Sequence, residues 1–292
     1  MTTRSGFPIG FRRGWSDWQK NDLKTLAAWA KQSGFDAVDL TRATADDIKT
    51  LASAGLRLGS VDLIDFGNLM HNDAGKRKEL IAQNVAYVKE IAATGATKNF
   101  FTVVIPGDPA KKRSENYDLM LEAYGPIAEA CKNAGASLAV EGWPGGAPYF
   151  ASLVCTPETV RSFLKDIGPA AGLNYDPSHL IRLGVDHVRF LKEFVPHVKH
   201  VHAKDTDVDA DALYEFGTQP ATFAKPHGFG EWTWRYTIPG HGVARWKEIT
   251  SILKTAGYTG VISVELEDEH FNGTEAGEKA ALVHSLHVLQ GV

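Results

Sequence analysis

The sequence predicts a single (β/α)8 barrel, an α/β fold, on three observations: helical periodicity that recurs along the chain, glycines that end helices and precede short apolar runs, and a count of eight such runs. Apolar residues at i, i+3 and i+4 spacing mark helices at Leu23, Leu26, Ala27, Ala30, at Ile81, Val85, Val88, Ile91, at Leu119, Ala123, Ile127, Ala130, and at Ile249, Ile252, Leu253. Gly34, Gly55, Gly95, Gly135 and Gly257 each lead into an apolar run, as expected where a helix ends on a left-handed residue and a strand begins. Thr44 with Asp47, and Thr156 before Pro157, read as helix starts.

Taken in order, strands end near Arg12, Leu40, Asp62, Ile105, Glu141, Asp176, His202 and Glu265, and helices follow near residues 20, 44, 75, 115, 156, 186, 245 and 275. A doubly wound open sheet is the rival, but it usually has fewer strands, and the glycine-rich turn expected after its first strand is missing. No linker divides residues 1–292. The stretch from 205 to 244 is too long for a plain connection and reads as an irregular active-site loop.

The 31 basic and 35 acidic residues give a net charge of -4, and 43% of residues are hydrophobic. That balance excludes a disordered chain and supplies no basic field for nucleic acid. The longest apolar runs, such as Phe100 to Ile105, are far short of the roughly 18 to 20 residues of a membrane span, and the start MTTRSGFPIGFRR has no apolar signal core. With only Cys131 and Cys155, there is no disulfide framework, so a cytoplasmic location is expected. The run Asp205-Thr-Asp207-Val-Asp209-Ala-Asp211 departs from a calcium loop at Ala210 and Phe216 and reads as a solvated charge run.

In such a barrel the C-terminal strand ends converge on the active site. Leu138-Ala-Val-Glu141, Leu173-Asn-Tyr-Asp176, His200-Val-His202 and Val261-Ile-Ser-Val-Glu265 bring three carboxylates and a histidine to one side of the rim. Three carboxylates close together repel one another unless a cation lies between them. One nitrogen and three oxygens favour Mn²⁺, with Mg²⁺, Co²⁺ or Zn²⁺ as alternatives. His179 stands three residues after Asp176, and Lys204 two after His202, so Lys204 shares the strand face of His202 and is a candidate for a substrate oxygen or carboxylate.

At these residues the chain resembles the sugar phosphate isomerase/epimerase family, the xylose isomerase-like TIM barrels that include ketose 3-epimerases and inosose isomerases. The likeness rests on Val140-Glu141, Asn174-Tyr-Asp176-Pro-Ser-His179, His202-Ala-Lys204-Asp205, Pro239-Gly240-His-Gly242 and Val264-Glu265 in that order. The resemblance implies that Glu141, Asp176, His202 and Glu265 bind the metal and that Glu141 and Glu265 double as acid/base groups. It also implies substrate contacts at His179 and Arg235. The expected activity is a divalent-metal-dependent sugar isomerase or epimerase that removes a proton next to a carbonyl and passes through an enediolate, with a small sugar or sugar derivative as substrate. Family members often form dimers or tetramers, and a homo-oligomer is expected.

Two features keep a lyase acting on 3-oxo-glycosides as the alternative. Gly142-Trp143-Pro144 follows Glu141 where sugar epimerases often carry Asn-His, which makes Trp143 a candidate substrate contact. The 205–244 loop is rich in aromatic rings, which stack on sugars and flat aglycones. The apurinic endonucleases on the same barrel use extra histidines, which are absent from Ser60-Val-Asp62 and Val103-Val-Ile105-Pro106.

Overall fold

A computed structural model describes residues 6–146 and 151–292. Eight parallel strands close a barrel: β1 (Ile9–Arg12), β2 (Ala37–Leu40), β3 (Arg57–Asp62), β4 (Asn99–Val103), β5 (Ser137–Glu141), β6 (Ala171–Tyr175), β7 (Val198–Ala203) and β10 (Ile262–Val264). Strand β1 pairs with both β2 and β10, which closes the ring and rules out the open sheet. Helices run between the strands, the longest being Ala74–Ala93, Arg113–Asn133 and Glu275–Gly291. No helix among the described residues is long and apolar enough to cross a membrane.

The local signals act as their chemistry requires. The hydroxyl of Thr44 accepts from the Asp47 amide while the Asp47 carboxylate accepts from the Thr44 amide, so two otherwise unpaired donors at the start of helix Ala45–Ser53 are satisfied. Gly34 ends helix Leu23–Ser33 at φ 98°, a conformation that costs glycine little. Leu26, Ala27, Ala30, Val88, Ile91, Ala123, Ile127, Ile249 and Leu253, all placed on helix faces by their spacing, are buried in the core.

The 205–244 stretch departs from the irregular loop expected. Strands β8 (Asp205–Val208) and β9 (Trp234–Thr237) pair antiparallel within it, and helix Ala210–Phe216 lies between them. Nor is its charge run solvated throughout, because Asp205 is fully buried. Its carboxylate accepts from the amides of Thr206, Gly240 and Ala244 and from the Trp246 indole. Four donors compensate for the lost hydration and tie the return of the loop to the barrel. The Pro-Gly-His-Gly turn follows from the same packing: a Cβ on Gly242 would lie 2.3 Å from Asp205 Oδ1.

Candidate metal centre

Glu141, Asp176, His202 and Glu265 come from β5, β6, β7 and β10 or the residue just beyond, four strands adjacent in the barrel order. One ligand atom from each lies within 4.8 Å of all the others. Parallel pairing causes this convergence, since β5 runs beside β6, β6 beside β7 and β7 beside β10 with all C-terminal ends pointing the same way. His202 Nδ1 is 2.7 Å from Glu141 Oε2 and 3.5 Å from Glu265 Oε2. Asp176 caps the short helix Pro177–Arg182, where its Oδ1 accepts from the Ser178 amide. Its buried Oδ2 accepts no hydrogen bond among the described residues, although His179 Nε2 at 3.4 Å and Lys204 Nζ at 3.5 Å face it.

These residues fit a divalent cation. A buried carboxylate oxygen left without a donor is costly, and here it points into a cluster that already holds two more carboxylates and an imidazole nitrogen. With no thiolate in the set, the oxygen-rich donors suit a hard or borderline ion.

The charges around the cluster shift its groups in opposite directions. Burial pushes Glu265 up, but Lys204, His202 and Arg12 hold it well below the usual carboxylate range. Glu141 is likewise raised by burial and by the charge of Glu265, yet His202 and His179 bring it well below the ordinary value. For Asp176 burial prevails over His179 and Lys204, and its carboxyl is raised. His202 and Lys204 lose solvation but face several carboxylates, and both are pushed far above their ordinary values.

The other residues singled out in the sequence fall into two groups. His179 and Lys204 join the cluster. His179 Nε2 lies 3.2 Å from Glu141 Oε1, and the Lys204 ammonium donates to Glu265 Oε2 at 2.6 Å and Glu267 Oε2 at 2.9 Å. Arg235, on β9, is held between Asp207 and Asp268, at 3.3 Å from each. Trp143 is half-buried just after β5, and the segment it opens continues into residues 147–150, outside the described residues.

Several residues of the site were not singled out from the sequence. Asn174 donates to Glu141 Oε2 at 2.6 Å. The hydroxyl of Tyr236 meets His179 Nδ1 at 2.7 Å and accepts from Arg182 at 2.9 Å, while the Arg182 guanidinium lies 4.1 Å above the Trp234 ring. Arg12, at the end of β1, binds Asp62 through both terminal nitrogens at 2.6 and 2.7 Å and reaches Glu265 Oε1 with Nε at 3.3 Å. The usable signal was the same for Arg12 and Asp62 as for Glu141: a charged residue where an apolar strand stops.

The sequence profile of the xylose isomerase-like TIM barrels matches residues 27–290. The chain belongs to this family. Among curated relatives, the uncharacterized protein YfiH of Bacillus subtilis (strain 168) is 30% identical over 183 residues, 58% of this chain and 54% of that protein. Inosose dehydratase of Geobacillus thermodenitrificans (strain NG80-2) is 26% identical over 157 residues, 53% of this chain and 48% of that enzyme. The chain thus matches about half the length of these relatives. A crystal structure of D-psicose 3-epimerase in the presence of D-fructose superposes with a TM-score of 0.67 at 17% identity, covering 98% of this chain and 100% of that one, which shows the shared fold.

Proposed function

We propose that the protein is a divalent-metal-dependent isomerase or epimerase that moves a proton next to the carbonyl of a sugar. The observation that carries this reading is the convergence of Glu141 and Glu265 on one imidazole nitrogen, with Asp176 Oδ2 left without a donor beside them. Glu141, Asp176, His202 and Glu265 would hold the cation, Mn²⁺ by the donor set, and the metal would supply Lewis-acid polarisation of substrate oxygens.

The chain's own groups account for the proton movement. A base must be ionised before it accepts a proton, and both Glu141 and Glu265 are kept ionised by their neighbours. Removing the proton leaves an enediolate, whose negative charge needs a fixed positive partner. Lys204 is fully buried, with its ammonium 2.6 Å from Glu265, so it offers that charge without reorganisation. The carboxylate that took the proton can return it to the neighbouring carbon, which gives isomerisation. Epimerisation needs the opposite face of the same carbon to be protonated by the other carboxylate after that group has gained a proton from water, the first passing its proton back to solvent. Asn174, His202 and His179 fix the Glu141 carboxylate, while Lys204 and Arg12 fix that of Glu265, so each is oriented from its own side.

A lyase is the second reading, supported by the likeness over half the chain to inosose dehydratase. Elimination begins with the same proton removal and differs only in what leaves next. A 3-oxo-glycoside would lose its aglycone in this way, and the aromatic rings of residues 205–244 are suited to hold it.

The test is incubation of the metal-loaded protein in D₂O with free ketoses, inososes and 3-oxo-glucosides, followed by NMR. Deuterium entering next to the carbonyl with the carbon skeleton intact supports the isomerase or epimerase. Loss of water from inososes, or release of an aglycone from 3-oxo-glucosides alone, replaces it with the lyase. No exchange with any of them rejects both.

A further inference from the structure

Beside the candidate metal cluster, inside the barrel, lies a second polar group that shares His202 with it and whose other members, Asp39 and His200, the proposed function does not use. Asp39 on β2 and His200 and His202 on β7 are fully buried. The Asp39 Oδ2 atom lies 2.7 Å from His200 Nε2 and 3.6 Å from His202 Nε2, while Oδ1 accepts from the Ser60 amide at 2.9 Å. His202 is held from several directions: Phe101 stacks on it at 5.2 Å, His200 meets it edge-on at 5.5 Å, and Nδ1 points at Glu141 and Glu265. Its Nε2 is buried with no hydrogen bond of its own among the described residues, and the Asp39 carboxylate faces it.

The backbone makes room for this carboxylate. A Cβ on Gly59 of β3 would lie 2.2 Å from Asp39 Oδ1 and 3.3 Å from His200 Cε1. Real Cβ atoms do not approach so closely, so any other residue at position 59 would displace Asp39 or the strand. A carboxylate buried only to satisfy one histidine needs His200 alone. This one sits on the far side of the imidazole whose other nitrogen faces the cluster.

We infer that Asp39 is a positioning residue for the metal centre: its carboxylate keeps the proton of His202 on Nε2, so that Nδ1 presents its lone pair to the cation. The inference rests on His202 being a ligand, as proposed above. An imidazole binds a metal through one nitrogen, and a carboxylate facing the other, here at 3.6 Å and so acting through its charge, favours the tautomer whose proton is on that side and raises the basicity of the ligating nitrogen. Losing such a partner commonly weakens metal binding by about 10- to 100-fold.

The experiment measures Mn²⁺ binding by calorimetry on the unaltered 292-residue chain and on its Asp39→Asn variant, with circular dichroism to verify the fold. A second measurement needs only the unaltered chain: ¹⁵N NMR of the histidine rings in the Zn²⁺-loaded protein. One Mn²⁺ per chain, about 10- to 100-fold weaker binding in Asp39→Asn, and a protonated Nε2 on His202 in the Zn²⁺ form are the expected results. Equal affinity in the folded variant overturns the inference and leaves the metal reading intact. Zn²⁺ bound through Nε2 of His202 overturns it even where the variant does not fold. Two ions per chain, falling to one in Asp39→Asn, would make Asp39 a ligand and not a positioning residue. Absence of binding to the unaltered chain rejects the metal reading together with this one.

Discussion

The two halves of the barrel rim handle buried charge in opposite ways. At the ends of β1 and β3, Arg12 and Asp62 form a closed pair, with both carboxylate oxygens matched to guanidinium nitrogens at 2.6 and 2.7 Å. At the ends of β5, β6, β7 and β10, three carboxylates share His202, His179 and Lys204, and Asp176 Oδ2 accepts no hydrogen bond among the described residues. The first arrangement is complete in itself. The second is incomplete by charge and by hydrogen bonding, which is the condition under which a site gains from binding a cation. Arg12 links the two halves through its 3.3 Å contact with Glu265.

The sharpest way to break this contrast is Glu265→Gln, which keeps the shape and removes the charge. Proton transfer should fall by about 10²- to 10⁴-fold while the fold is retained, as read by turnover and circular dichroism. A variant with near-normal turnover would sink the acid/base role. Next is His202→Ala, which removes the nitrogen donor of the cluster. Its metal affinity should drop by more than the 10- to 100-fold that an indirect partner commands, and metal analysis after dialysis should find the protein empty. Unchanged metal content would mean that the ligand set is wrong.

The closed half predicts the reverse pattern. Asp62→Asn strips Arg12 of a mostly buried charge partner, so stability should fall by about 3 kcal/mol in thermal or denaturant unfolding, with metal affinity changing less than in His202→Ala. A large loss of metal with unchanged stability would erase the distinction between the halves.

The smallest effect concerns pH. Asp176 is raised by burial in spite of His179 and Lys204, and His202 is raised because Glu265 and Glu141 outweigh its burial. Both therefore keep protons to higher pH than the free side chains do, and a cation must displace those protons. Metal affinity should rise with pH, by one proton for each of the two groups still protonated, and level off above their folded values. Glu141 and Glu265, held low, add no slope near neutrality. Calorimetry in buffers of different ionisation enthalpy reads the released protons directly, and a flat profile would contradict the charge distribution described here.

The fold was legible because its signals are local. Helix faces repeat every three or four residues, caps lie within one turn, and apolar runs stop at or within two residues of their strand ends, as Thr44 with Asp47 and Leu138 to Glu141 illustrate. The cluster of Glu141, Asp176, His202 and Glu265 was legible for the same reason: once the strands are parallel, the residue at the end of each run is a rim residue. The internal order of the 205–244 stretch is not legible in the sequence, because β8 and β9 find each other only across the helix and loop between them, and because Asp205 is buried by donors from residues 240–246.

The sequence by itself determined the alternation of strands and helices, the barrel that eight such units form, and the acidic and histidine residues at the strand ends. Tertiary structure alone decided the partners of those residues: Asp62 for Arg12, 50 positions apart, Tyr236 for His179, 57 apart, and Asp39 for His200, 161 apart. The physical reason is that strand direction and helix faces follow from short-range geometry, whereas which side chains meet inside a closed barrel depends on the register of all its strands at once.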